Sequence, residues 1–248
     1  MKNFFQNEYE IKYSDCDKNG NILLTRLLSY AQEASTLHTD LVGCTFNYMI
    51  DNKIGWILLE NYSKVNSYPK LGDKIIVKTW LNPIEKLFII RNYVIEDING
   101  NILFESYTKW IMYSFEKMRP IHIPIEVENM YSFDEKKGIT FEDFDFSRIT
   151  DYDNIFSNVV IYGDIDTNWH MNNIAYVIKA IDTMTIDFLE SHIVNDILVR
   201  YNHQLVYKDK YAVQVKKIDN NKYAYIINGN NNDTSKNNAD IIINWRKK

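Results

Sequence analysis

Within the run IYGDIDTNWHMNNIA (161–175), Asp164, Asp166, Asn168 and His170 fall within seven residues. In an extended or turning segment, residues i, i+2 and i+4 point the same way. A carboxylate, an amide and an imidazole therefore converge at Asp166, Asn168 and His170. The imidazole can move a proton near neutral pH, the carboxylate can orient the imidazole or a water, and the amide can hold a carbonyl or a water without titrating. The apolar lead Asn158-Val159-Val160-Ile161-Tyr162 reads as a strand, and the pattern after Asn172 as a helix whose first N–H groups could stabilise an oxyanion. Taken singly, each residue has a plainer role: Asp166 and Asn172 as turn and cap residues, Asn168 as a turn residue, His170 as a surface side chain. Taken together they form the usual pattern of a site. No nucleophile elbow, Walker loop, dinucleotide fingerprint or H-E-x-x-H occurs, so an enzyme built on this cluster activates water directly. His38, His122, His192 and His203 lack such company and read as structural or surface residues.

The pattern Y-x-D-x-D-x-N at 162–168 also occurs at 13–19, 149 residues earlier, with Asn21 where the second copy has His170. A period seen twice predicts a tandem duplication. The first copy begins like a calcium loop, but Arg26 stands where the twelfth-position Glu belongs, so no metal is expected. Leu23, Leu24, Leu27, Leu28, Ala31, Ala34 and Leu37 predict an amphipathic helix over 22–38. Strands follow at 56–59, 74–80, 88–95 and 102–113, with Gly72-Asp73 and Asn99-Gly100 as turn signals. After a polar stretch the order restarts: a helix over 172–190, then strands at 197–207, 211–218, 222–227 and 240–245, with 228–233 as a hairpin loop. The expected class is α+β, two antiparallel sheets each wrapped around a long helix. The boundaries are a first domain at 1–125, a linker at 126–149 and a second domain at 150–248.

The chain has 248 residues, 46% apolar, and a net charge of −5, which argues against a nucleic-acid partner. Cys16 and Cys44 cannot build a disulfide framework or a four-cysteine metal site. No signal-type apolar run opens the sequence, and no apolar window reaches the roughly eighteen residues of a membrane span. The expectation is a soluble, cytoplasmic, unprocessed chain with no membrane partner and no cofactor. The basic end Trp245-Arg246-Lys247-Lys248 reads as a solvated terminus.

Several stretches carry a resemblance to the acyl-acyl-carrier-protein thioesterases: LLSYAQEA at 27–34, Tyr68-Pro69-Lys70-Leu71-Gly72-Asp73 with Thr79-Trp80, Arg119-Pro120 before Ile123-Pro124, and D-x-N-x-H-x-N-N at 166–173. It covers nearly the whole chain and implies a tandem (double) hotdog fold. It also implies hydrolysis of the thioester joining a fatty acyl chain to the phosphopantetheine arm of an acyl carrier protein. The catalytic Asp, Asn and His then fall on Asp166, Asn168 and His170, with the first domain shaping the acyl pocket. One departure stands out. The family usually places a Glu three residues after an aromatic in the next strand; aligned on Tyr201, that position is Gln204, which can hold a water but cannot accept its proton. A coenzyme A thioesterase and a non-catalytic acyl-binding protein stay open as alternatives, as do monomer and homodimer.

Overall fold

In the computed structural model, which describes residues 4–229 and 237–248, the chain divides into two units, Met1–Thr140 and Phe141–Lys248. The first unit contains β1 (Phe5–Glu10), α1 (Leu24–Leu41), α2 (Phe46–Asp51), β2 (Ile54–Val65), β3 (Lys74–Leu81), β4 (Phe88–Asp97), β5 (Ile102–Ser114), β6 (Arg119–Ile121) and α3 (Ile125–Glu128). The strands pair antiparallel in the order β1-β3-β4-β5-β2, with β6 on β5. The three- and four-residue spacing of α1 buries Leu24, Leu27, Leu28, Ala31, Ala34 and His38 on one face. Asp97 builds the β4–β5 hairpin by accepting the N–H groups of Asn99 and Asn101 at 2.8 and 2.9 Å, while Gly100 supplies the left-handed residue at φ 85°.

The sheet face toward α1 carries a belt of polar residues. Register sets Leu81, Arg91, Thr108 and Asn61 in one transverse row and Thr79, Tyr93, Ser106 and Ser63 in the next. The hydroxyls of Ser63 and Ser106 donate to Asn61 Oδ1 at 2.7 and 3.1 Å, Thr108 Oγ1 donates to the Arg91 carbonyl at 3.0 Å, and Ser35 on α1 meets the Tyr93 hydroxyl at 2.5 Å. Arg91, 6% exposed, donates from Nη1 to His38 Nδ1 at 3.1 Å and to Thr79 Oγ1 at 3.4 Å. Arginine can only donate, so Nδ1 of His38 is an acceptor and the ring is neutral. Burial, then the Arg91 charge, lowers the His38 pKa to about 4.

Residues 126–149 pack onto the units at either end. Val127 and Tyr131 join the core formed by Cys44, Met49 and Met112. Phe133 bridges Leu81, and the Trp80 indole and Asn82 amide donate to the Lys136 carbonyl at 2.8 and 3.0 Å. Beyond the division at 140, Arg200 holds Asp143 and the Phe144 carbonyl.

The second unit contains β7 (Asn154–Val159), α4 (Asn173–Ile181), α5 (Ile186–Ser191), β8 (His192–Tyr201), β9 (Lys210–Lys217), β10 (Lys222–Gly229) and β11 (Ala239–Lys247). Its antiparallel order is β8-β11-β10-β9-β7. Two rows on one face of it are aliphatic or aromatic throughout, Val215-Tyr225-Ile241-Val199 and Val213-Ile227-Ala239-Tyr201. Three local expectations need correction. The helix expected over 172–190 is two helices, because Thr183 bonds back to the Ala180 carbonyl at 2.7 Å and Thr185 caps a new start by accepting the Phe188 N–H. The strand expected over 197–207 stops at Tyr201, because the N–H groups of Asn202 and His203 both turn to the Asn238 carbonyl. The lead into the motif leaves β7 at Val159, and Tyr162 opens a 3-10 turn (Tyr162–Asp164). Of the expected loop at 228–233, residues 230–233 lie outside the described residues. Among the described residues no helix is long and apolar enough to cross a membrane.

The neutral His38 gives a pH dependence with a definite sign. A histidine whose folded pKa lies below its unfolded value takes up a proton on unfolding, so its contribution is fully present above about pH 6.5 and lost as pH falls toward 4. The shift corresponds to a contribution on the order of 3 kcal/mol. Urea melts of wild type and His38→Asn at pH 7.5 and 4.5 should show the wild-type advantage shrinking at the lower pH; a constant difference would contradict the neutral, buried ring.

Candidate active site

The segment around His170 is a chain reversal held by two aspartates. Asp164 accepts the Ile161 N–H at 3.1 Å and closes the 3-10 turn, and its other oxygen pairs with Lys179 of α4 at 3.0 Å. Asp166 Oδ1 accepts the N–H groups of Asn168 at 2.8 Å and His170 at 3.4 Å, while the Asp166 N–H donates to the His170 carbonyl at 2.9 Å. Trp169, at φ 63°, turns the chain between them. Asn172 then caps α4 by accepting the Ile174 N–H at 2.8 Å.

The first copy repeats the bonds of the two aspartates to backbone. Asp15 accepts the Lys12 N–H at 2.9 Å; Asp17 accepts the N–H groups of Asn19 and Asn21 at 2.9 and 3.0 Å; and the Asp17 N–H donates to the Asn21 carbonyl at 2.8 Å. The differences lie in what the scaffold presents. His170, partly exposed, replaces Asn21, and the polar pair Asn172-Asn173 replaces Leu23-Leu24 at the helix start. Lys179 replaces Tyr30, whose hydroxyl donates to Asp15 at 2.8 Å.

Of the four candidate residues, three share this turn, and among the described residues no hydrogen bond joins their side chains to one another. One oxygen of Asp166, Oδ1, is engaged by backbone N–H groups, leaving its Oδ2, the Asn168 amide and the His170 imidazole as the groups available to a ligand. Gln204 comes from the segment after β8. An isolated bridge pairs His170 with Val206, and the Met171 N–H donates to the Leu205 carbonyl at 2.7 Å. Leu205 is fully buried while Gln204 and Val206 are exposed, so alternation sets Gln204 on the His170 side, two residues from its bridge partner. Gln204 lies beyond β8 in irregular chain rather than in the strand. Among the described residues no group of three or more His, Cys, Asp or Glu could hold a metal ion.

Sequence reasoning missed the residues that fix this segment. Tyr176 of α4 accepts the Leu205 N–H at 3.1 Å, Tyr201 donates to the Asn173 carbonyl at 3.1 Å, and the two rings pack edge to face. Burial pushes the Tyr176 hydroxyl far above its ordinary pKa, with the carboxylates of Asp209 and Asp166 adding to the shift. Asn238, the residue before β11, holds the same segment by donating to the His203 carbonyl at 3.3 Å. The available signal was two tyrosines C-terminal to the motif, Tyr176 and Tyr201, which apolar periodicity absorbs as core.

Comparison with known proteins adds an independent line. The family model described as the acyl-ACP thioesterase N-terminal domain matches residues 2–131, and that of the C-terminal domain matches 149–247. The chain is 24% identical over 215 residues to a chloroplastic acyl-[acyl-carrier-protein] hydrolase of Cuphea viscosissima, covering 80% of this chain and 51% of that protein. It is 24% identical over 215 residues to a chloroplastic palmitoyl-acyl carrier protein thioesterase of Arabidopsis thaliana, covering 81% and 52%. The chain spans about half the length of the curated relatives it matches. In fold it is similar to an acyl-ACP thioesterase of Bacteroides thetaiotaomicron, with TM-score 0.85, 18% identity and 98% of both chains covered. The 12:0-ACP thioesterase of Umbellularia californica gives TM-score 0.85 and 18% identity over 100% of this chain and 99% of that one.

Removing the Tyr176 hydroxyl leaves the buried Leu205 N–H without an acceptor, which costs about 1–3 kcal/mol. Tyr176→Phe should melt earlier and exchange the Leu205 amide hydrogen faster than wild type; unchanged exchange at Leu205 would contradict the anchoring role.

Proposed function

The chain belongs to the acyl-ACP thioesterase family, and from that premise we propose that it hydrolyses fatty acyl-[acyl-carrier-protein] thioesters to the free fatty acid and the holo carrier protein. The observation that carries the proposal is the second-copy turn, where His170 and Asn168 stand on a scaffold that the first copy builds without a histidine. Each unit is read as a hotdog domain, a sheet around α1 in the first and around α4 in the second, with the first shaping the acyl-chain pocket. A cytoplasmic location fits the two free cysteines.

In this mechanism the Asn168 amide holds the thioester carbonyl or the attacking water. His170 takes a proton from water as its oxygen attacks the carbonyl carbon. The negative charge on the former carbonyl oxygen is met by the first free N–H of α4, that of Asn173, since the Ile174 N–H is taken by the Asn172 cap. Collapse expels the thiolate, which takes its proton from the His170 imidazolium. Asp166 contributes by shaping the turn: its bonds to backbone are those Asp17 makes where no histidine is present. Gln204 orients the water and leaves the base role to His170. The amide at Gln204 also favours a second reading, an acyl-binding protein that does not turn over.

The test is release of free thiol and fatty acid from carrier-protein thioesters of graded chain length, beside the matching coenzyme A esters. Wild type should act on the carrier series, Gln204→Glu should be faster, and His170→Ala should lose at least about a hundredfold in kcat while melting like wild type. Binding without release in wild type would instead support the non-catalytic reading. Asp166→Asn keeps the acceptor for both N–H groups, so it should retain most of the stability and turnover that Asp166→Ala loses, a gap of about 1–2 kcal/mol in unfolding free energy. Equal inactivity of the two variants would make Asp166 a proton carrier rather than a scaffold.

A further inference from the structure

The two copies differ at a second pair of positions that the proposed chemistry does not use. In the first copy both turns of the reversal carry glycine with left-handed backbone, Gly20 at φ 76° and Gly72 at φ 84°. In the second copy the same two positions are Trp169 at φ 63° and Lys208 at φ 70°. The equivalence rests on matching bonds. Asn21 bridges Lys70 as His170 bridges Val206, and the Lys70 N–H donates to Asp73 at 2.7 Å as the Val206 N–H donates to Asp209 at 2.9 Å.

Left-handed backbone is unfavourable for any residue with a Cβ and rare for a bulky one. Neither side chain recovers that by burial: Trp169 is 70% exposed, Lys208 is exposed, and Tyr207 between Val206 and Lys208 is 47% exposed. The His170–Val206 bridge sets Trp169 and Tyr207 each one residue from a bridge partner, Trp169 next to the histidine along the chain and Tyr207 next to Val206. The Lys208 ammonium stands 5.3 Å from the centre of the Tyr207 ring, and among the described residues no carboxylate pairs with it. Asp209 accepts the Val206 N–H and Asp166 the N–H groups of its own turn, while exposed Lys210 adds a second positive charge. Two exposed aromatic rings and an unpaired ammonium near a candidate base, with Trp169 and Lys208 on unfavourable backbone, fit a ligand with an anionic group and a less polar connecting arm.

We propose that Trp169, Tyr207 and Lys208 form the seat for the phosphopantetheine arm of the carrier-linked substrate. The Lys208 ammonium takes the phosphodiester and the two rings cover the arm, so that the thioester is delivered to His170. The assignment rests on the thioesterase reading above.

The test returns each turn to the residue of the sister copy. Lys208→Gly and Trp169→Gly should fold at least as firmly as wild type, since left-handed backbone suits glycine. The ratio of kcat/KM on an acyl-carrier-protein thioester to that on the N-acetylcysteamine thioester of the same acid, which lacks the phosphodiester, should fall about tenfold in Lys208→Gly. An unchanged ratio in a wild-type-active enzyme would overturn the seat and leave the thioesterase reading standing. If wild type hydrolyses neither ester, the thioesterase reading fails separately, and titration with holo and apo carrier protein decides the seat. Preference for the holo form that Lys208→Gly loses would support it, and equal binding of both forms by wild type would overturn it.

Discussion

Everything in the candidate site hangs on carboxylates bonded to backbone N–H groups. Asp164 and Asp166, two residues apart, fix successive turns, and the helix that follows starts where those turns leave it. Hydrogen bonds to a charged acceptor are among the stronger ones, about 1.5–3 kcal/mol each. Two such aspartates therefore hold a polar, partly exposed loop that has little apolar burial of its own. Lys179 locks the reversal onto α4 through Asp164, so the position of the imidazole and the direction of the helix are set by the same residue.

This division between scaffold and cargo explains how one turn can carry a histidine in the second copy and none in the first. The bonds of Asp17 and Asp166 involve only backbone partners, so the residue at 21 or 170 is free to vary without loosening the turn. The cost of specialising falls elsewhere, on the non-glycine residues in left-handed conformation at 169 and 208.

Much of this was legible in the sequence. The repeat exposed the turn because its polar residues recur at fixed spacing, and α1 was readable because Leu24, Leu27, Leu28, Ala31 and Ala34 keep a helical period. For Asp166 the sequence left a turn residue and a catalytic carboxylate side by side, because a carboxylate bonded to backbone leaves the same letter in the chain as one bonded to an imidazole. The break between α4 and α5 was not legible, since the apolar period runs through Thr183 and Thr185 while hydroxyl bonds end one helix and start the next. Alternating polar residues such as Asn61 and Ser63 ordinarily mark a solvated face, yet here they face a helix because cross-strand partners satisfy them. Tyr176 and Tyr201 read as core, and only their hydroxyl partners reveal them as supports.

That polar belt bears on how a tandem repeat avoids assembling wrongly. Two halves with the same element order invite like strands to trade places during folding, a characteristic failure of repeated domains. Here the interiors are chemically distinct. A strand carrying Ser106 and Thr108 set among Val199, Ile241 and Val215 would bury hydroxyls with no partner, and an aliphatic strand in the first unit would strip Asn61 and Ser63 of theirs, each penalised by about 1–3 kcal/mol per orphaned group. Side-chain polarity inside the first half thus acts as an address, directing each strand to its own sheet although the two halves share one plan.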